Sequence, residues 1–124
     1  MDYSNLSYEE INKLVGAIVS RDKLSITASN GKTLIHRFSD CGEFKGICLG
    51  WKEFDPCNNP TDAWPILLKN RISIEFDSSY DGDEPAEWVK ASVNAREHFS
   101  HSTCNKALRA AMIVFLMMQE AKNG

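Results

Sequence analysis

The sequence has no long hydrophobic run and no leader-like N-terminus. Its longest mostly apolar segment extends from Ala110 to Met118, whereas a helix needs ~20 apolar residues to cross a bilayer. The first five residues supply neither the basic nor the apolar region of a secretory signal. We therefore expect a cytoplasmic protein without a membrane partner. In that reducing compartment we expect free thiols at all four cysteines, namely Cys41, Cys48, Cys57 and Cys104.

A surplus of basic residues is also missing. Fourteen Lys and Arg residues stand against seventeen Asp and Glu residues, which gives a net charge of −3. This balance disfavours nucleic acid as the partner, since proteins that bind phosphates are usually basic. The phosphate-binding motifs G-x-x-x-x-G-K-[ST] and G-x-G-x-x-G are absent, and nothing else in the sequence predicts a cofactor.

The length of 124 residues is typical of one domain, so we predict a single domain over residues 1–124. Apolar residues recur with helical period in three segments and alternate in four, in the order α-β-β-α-β-β-α. Adjacent hairpins form an antiparallel sheet, and helices then pack on that sheet. The predicted fold class is therefore α+β, a layered sandwich.

The first half of the chain carries two clear local signals. Ser7 and Glu10 have the spacing of a capping box, which predicts a helix ending near Arg21. Asn30-Gly31 separates two alternating segments and favours a hairpin, because Gly and Asn tolerate the positive φ of a tight turn. Residues 39–53 contain three glycines and predict a loop with one short strand at most.

The second half begins with turn chemistry. A second helix is predicted to open at Thr61-Asp62-Ala63-Trp64 and to run to about Asn70, with Pro65 in its first turn, where proline is tolerated. Residues 72–76 alternate as a strand. Residues 77–84 are acidic and predict a solvated hairpin loop.

Two later segments each allow two interpretations. Residues 88–93 predict a strand, although Pro85 and Glu87 would also suit the start of a helix. Residues 107–121, after Asn105 as N-cap, predict a helix that is apolar nearly all round. Such a helix must be covered on most sides, so it is either the centre of the fold or part of an oligomer interface.

Histidine and cysteine residues near the C-terminus are the candidate metal ligands. His98-x-x-His101-x-x-Cys104 offers three ligands. Structural zinc sites, however, usually contain two cysteines separated by two to four residues, and no such pair exists here. We predict no metal and place the two histidines on a polar surface loop. The alternative is an enzyme that uses these three residues, or Cys57 as a nucleophile, but no base can be identified for it.

The segment from Trp51 to Trp64 is the richest in groups that could bind a ligand. It combines two indoles and two amides with a helix N-terminus, and a few polar groups between aromatic side chains are typical of a binding pocket. The alternative is that the tryptophans are core and the asparagines serve a turn and a cap. The predicted site for a protein or a small polar ligand comprises Trp51, Cys57, Asn58, Asn59, Asp62 and Trp64.

Three blocks of the sequence resemble the bacteriophage NinX family. They are the opening residues 1–7 with 10–13, the long block from Phe54 to Ile66 with residues 70–74, and the apolar block from Leu108 to Met118. The central block is also similar to phage α-β-α sandwich domains. The three blocks cover about half of the chain, and the histidine cluster lies outside them.

The resemblance implies a small protein of a tailed phage or prophage in the host-cell cytoplasm. It carries over no catalytic residue. We therefore expect a non-catalytic accessory protein that binds a host or phage factor, with the metal- or cysteine-dependent enzyme as the alternative.

Overall fold

The structure, a computed structural model, describes residues 2–81, 84–94 and 97–123. Within these ranges the α+β class predicted from the sequence is confirmed. The helices and strands are α1 (Tyr8–Val19), β1 (Ser25–Thr27), β2 (Thr33–Phe38), β3 (Cys48–Glu53), α2 (Pro60–Asn70), β4 (Ser73–Asp81), β5 (Glu84–Val93), β6 (His98–Ser102) and α3 (Ala107–Asn123).

The strands form two three-stranded sheets, whereas the sequence predicts a single sheet. The first sheet has the order β1-β2-β3 and the second has the order β4-β5-β6. Every neighbouring pair is antiparallel. Over the described residues the order is thus α-β-β-β-α-β-β-β-α. Each half of the chain has one strand more than the alternation of apolar residues in the sequence predicts.

Both additional strands lack a regular alternation of apolar residues. β3 contains Gly50 at φ +110°, and a register shift lies between Arg37 and Phe38 of its partner strand β2. β6 has the sequence His-Phe-Ser-His-Ser, with one apolar residue in five. The prediction of a surface loop for His98 and His101 is therefore wrong, because pairing with β5 makes this polar segment a strand.

Helix α1 begins with the predicted capping box. Ser7 Oγ accepts from the Glu10 backbone N–H at 3.1 Å, and Glu10 Oε1 accepts in return from the Ser7 backbone N–H. Ile11 and Val15 are fully buried, whereas Leu14 is exposed. The helix ends at Val19, two residues before the predicted Arg21.

Helix α2 begins one residue earlier than predicted, at Pro60, with Asn59 as its N-cap. Pro65 consequently lies inside the helix and not in its first turn. It has no N–H to donate to the carbonyl of Thr61, four residues before it. The helix continues because the affected side is exposed, so water can satisfy that carbonyl.

The acidic segment after residue 76 is mostly strand. β4 continues to Asp81 and pairs along its length with β5, which begins at Glu84. The predicted acidic loop is thus wrong for residues 77–81 and 84, while residues 82 and 83 lie outside the described ranges. Residues 88–93 form part of β5, so the strand interpretation is confirmed over the helix.

Helices α1 and α3 connect the two sheets. α1 packs on β1 and β2, α3 packs on β5 and β6, and α3 contacts both α1 and α2. Seven consecutive residues of α3, from Ala110 to Leu116, are buried within the chain. This helix is therefore the centre of the fold. No helix in the described ranges has the length and apolar character needed to cross a membrane.

The N-terminal residues pack against the last helix. Tyr3 is buried, and its hydroxyl donates to Glu120 Oε2 at 2.7 Å. The Arg109 guanidinium donates to the backbone carbonyls of Ser4 and Leu6 at 2.8 and 3.1 Å. The start of the chain is thereby fixed along α3.

Candidate functional site

Three residues of the predicted site and two that the prediction omits, Asn12 and Asp55, form a hydrogen-bonded connection between α1 and α2. It is here called the Asp55 junction (Asn12, Asp55, Cys57, Asn58 and Asp62). The Asp55 carboxylate accepts from Asn12 Nδ2 at 2.7 Å and from Asn58 Nδ2 at 3.1 Å. Asp62 Oδ2 accepts from the Asp55 backbone N–H at 2.9 Å. The side chains of Asn58 and Asp62 are therefore already engaged within the chain.

Asn59 has a separate structural part in the same segment. Its Oδ1 accepts from the Thr61 backbone N–H at 3.0 Å, which caps α2. An asparagine in this position satisfies one of the backbone donors that a helix N-terminus leaves unpaired. The two asparagines thus shape the entry into α2, as the turn-and-cap alternative predicts for them.

Cys57 is buried in the Asp55 junction. It is 4% exposed, and its backbone N–H donates to Asn12 Oδ1 at 3.1 Å. Burial, together with the negative charge of Asp55, raises the pKa of the Cys57 thiol to about 12. The thiolate is the nucleophilic form, so this cysteine is protonated near neutral pH and poorly suited to attack a substrate.

The two tryptophans are exposed and not part of the core. Trp51 is 42% exposed on β3, and Trp64 is 61% exposed on α2. The core alternative for the indoles is therefore wrong. In the part of the chain that the structure describes, no ring contact joins the two indoles. The site predicted from the sequence thus divides into a buried polar junction and two indoles on different elements.

Trp51 belongs to an aromatic face on the first sheet, comprising His36, Phe38 and Trp51. Trp51 pairs with His36 across β2 and β3, and their rings stack with centroids 3.6 Å apart at an interplanar angle of 24°. The Phe38 ring packs edge-on against the His36 ring, with their centroids 6.0 Å apart. Side chains alternate between the two sides of a strand. This face is therefore opposite the buried Thr33 and Ile35 of β2, which point toward α1.

A carboxylate orients the imidazole of the aromatic face. His36 Nδ1 is hydrogen-bonded to Asp22 Oδ2. This hydrogen bond lowers the pKa of the Asp22 carboxyl from its ordinary value. Asp22, His36 and Trp51 thus form a chain of contacts in which the carboxylate holds the imidazole and the imidazole supports the indole.

The histidine and cysteine cluster is not assembled into a ligand set. His98 and His101 are three residues apart on β6, so they point to opposite sides of the second sheet. The ring centroids of His101 and Phe99 lie 5.3 Å apart. His98 instead lines a cavity together with Val93 and Met118. Over residues 2–81, 84–94 and 97–123, no three His, Cys, Asp or Glu side chains are grouped to hold a metal ion.

A cavity, here called the lysine cleft, lies between the C-terminal ends of the three helices, and no sequence pattern indicates it. Its volume is about 440 Å³, and Lys23, Lys69 and Lys122 line it. Each lysine lies near the end of a different helix. In the sequence they are indistinguishable from lysines that complement a helix dipole, because only the packing of the helices brings them together.

Comparison with known proteins identifies the family of the chain. No curated protein and no solved structure matches it. The sequence model of the family described as Bacteriophage P22, NinX matches residues 2–119. This match includes the three resembling blocks apart from Met1 and extends through the segments between them. The chain therefore belongs to the bacteriophage P22 NinX family.

Proposed function

We propose that this protein is a non-catalytic phage accessory protein that acts by binding another protein of the phage or of its host. The contact surface is the aromatic face together with strand β3. Trp51 is the central contact residue, and the observation that carries the proposal is its exposure on a face to which it is fixed by stacking on His36.

The composition of this surface supports a protein partner. Trp and Tyr are enriched among the interface residues that contribute most to binding. Leu49, which is 53% exposed, lies two residues from Trp51 on the same strand. β3 is an edge strand of the first sheet. An exposed apolar edge strand promotes aggregation unless it is protected or used, and a partner segment could pair with it and cover both side chains.

The orientation of Trp51 supports binding with little loss of conformational entropy. Ordering a side chain on association costs ~0.5–1.5 kcal/mol. In the free protein the stacked imidazole, itself hydrogen-bonded to Asp22, already restricts the indole. A partner would therefore meet a side chain that has lost much of its rotational freedom before binding.

The experiment compares Trp51→Ala with Trp64→Ala, a matched loss of an exposed indole on another element. Each tagged variant and the parent protein are used to capture proteins from phage-infected host extract, and the captured proteins are quantified by mass spectrometry. We expect a protein retained by the parent and by Trp64→Ala to be lost with Trp51→Ala. With that protein purified, Trp51→Ala should weaken the affinity about thirtyfold, the effect of a central interface tryptophan.

The proposal fails if Trp51→Ala retains every protein that the parent captures. It also fails if the two variants lose the same proteins to the same extent, because the aromatic face would then have no special part. Circular dichroism of both variants checks that they remain folded, which is expected for side chains this exposed.

A further inference from the structure

The lysine cleft differs in charge from the rest of the molecule. None of the residues that line it is acidic, although the whole chain has a net charge of −3. Lys69 and Lys122 form no ion pair within the described part of the chain. Three lysines therefore line one cavity that has no carboxylate among its lining residues.

Capping of a helix end explains Lys23 but not Lys69. Lysines often neutralise the last carbonyls of a helix, and Lys23 does so by donating from Nζ to the Ile18 carbonyl at 2.6 Å. At the end of α2 the carbonyls have other donors. Asn70 Nδ2 donates to the Ile66 carbonyl at 2.8 Å, and the Ile72 backbone N–H donates to the Leu67 carbonyl at 3.0 Å. The Lys69 ammonium is therefore not needed for capping.

Apart from two amide side chains, the remaining lining of the cleft is apolar. Phe115 and Ile66 are buried core residues that reach the cavity, and Pro65 and Ile18 border it as well. The volume of about 440 Å³ is within the range of pockets that bind small molecules. A ligand complementary to this cavity has an anionic group that contacts the lysines and an apolar part that contacts Ile18 and Pro65, whose side chains remain partly exposed.

We propose that the lysine cleft binds a small phosphate monoester whose ester group is aromatic or aliphatic. A phosphate monoester carries a charge of about −1.5 to −2 at pH 7 and three acceptor oxygens, which complements several ammonium groups better than a singly charged carboxylate does. Charge-assisted hydrogen bonds from lysine to phosphate bind the head group. Burial of the ester group against Ile18 and Pro65 adds the apolar contribution.

The first experiment titrates the full-length protein with phenyl phosphate, inorganic phosphate and phenol at low ionic strength, followed by isothermal calorimetry and by the shift in melting temperature. We expect saturable binding of phenyl phosphate with a dissociation constant about tenfold lower than that of inorganic phosphate, and no measurable binding of phenol. Equal affinities for phenyl phosphate and inorganic phosphate would overturn the proposal, since they would indicate a general ion effect. Absence of binding would overturn it as well.

The second experiment locates the site with Lys69→Gln and Lys122→Gln, two exposed positions at which the fold should be unaffected. Each should weaken phenyl phosphate binding about tenfold, as expected for loss of a hydrogen bond from a charged donor. Lys106→Gln, an exposed lysine just before α3, is the matched control and should have no effect. Equal losses in all three variants would contradict the assignment. Trp51→Ala should bind phenyl phosphate normally, so failure of this proposal and failure of the protein-binding proposal can be told apart.

Discussion

Each sheet packs on one helix, but the two packings differ in chemistry. In the first sheet, α1 approaches closely because Gly16 faces the strands. A Cβ at this position would lie 3.1 Å from both Ile35 Cγ2 and Ser25 Cβ. Two buried hydroxyls of the sheet also bond to the helix backbone. Ser25 Oγ donates to the Lys13 carbonyl at 2.7 Å, and Thr33 Oγ1 donates to the Glu9 carbonyl at 3.4 Å.

The second sheet packs on α3 through a cluster of buried apolar side chains. Ala91 and Val93 of β5 belong to the same buried cluster as Met112 and Phe115 of α3. No glycine occurs in α3. The first packing therefore depends on a close approach of backbones, whereas the second depends on buried apolar area. Substitutions can therefore disturb one packing without disturbing the other.

The largest effect is expected from a charge in the second packing. Met112 is fully buried, and an unpaired buried charge costs several kcal/mol against a total stability of ~5–15 kcal/mol. Met112→Asp should unfold the protein, with loss of the circular dichroism of the folded state. Leu68→Asp, at a side chain 64% exposed on α2, is the control and should remain folded. If Met112→Asp instead unfolds cooperatively at the parental melting temperature, α3 is not the centre of the core.

An intermediate effect is expected from a side chain at the close approach in the first packing. Gly16→Val should lower the free energy of unfolding by about 2–3 kcal/mol, because its methyl groups overlap Ile35 and Ser25. The measurement is the denaturant midpoint at constant slope. Ala17→Val on the partly exposed side of α1 carries the same β-branched penalty without the overlap. Equal losses in the two variants would show that the close approach contributes nothing.

The smallest effect is expected from one hydroxyl of the first packing. Ser25→Ala should cost about 1 kcal/mol, the usual net contribution of a hydrogen bond. Ser29→Ala, at an exposed serine, gives the baseline for the same chemical change. A denaturant midpoint unchanged in both variants would show that the first packing depends on the fit of its surfaces and not on its polar contacts.

Local sequence patterns predict the elements whose signals lie within a few residues. The capping box of Ser7 and Glu10 predicts α1 correctly, and Asn30-Gly31 predicts the hairpin of β1 and β2, with Gly31 at φ +84°. The division into two sheets is not local, because it depends on β3 and β6, whose side chains show no alternation. Which strands pair is decided by tertiary packing, and no window of neighbouring residues contains that information.

The residues of the candidate site are likewise brought together by tertiary packing and not by nearness in the sequence. The sequence identifies Trp51 as a binding residue, but its stacking partner His36 is fifteen positions away and is brought to it only by the register of β2 and β3. The sequence also groups Asn58 and Asp62 with Trp51, although these two side chains bond within the Asp55 junction. Two lysines of the cleft belong to α2 and α3, the third follows the end of α1, and the three become neighbours only in the folded chain.

The contact between Tyr3 and Glu120 has a consequence for the kinetics of folding. It joins residues 117 positions apart, and Arg109 closes a loop nearly as long by bonding to the Ser4 carbonyl. The entropy of closing a loop rises only logarithmically with its length, by ~0.6 kcal/mol for each doubling. Contacts of long sequence separation nevertheless slow the folding reaction. The contacts of Tyr3 and Ser4 therefore add little to the entropy cost of closing the loop at equilibrium. They nevertheless raise the contact order on which the folding rate depends.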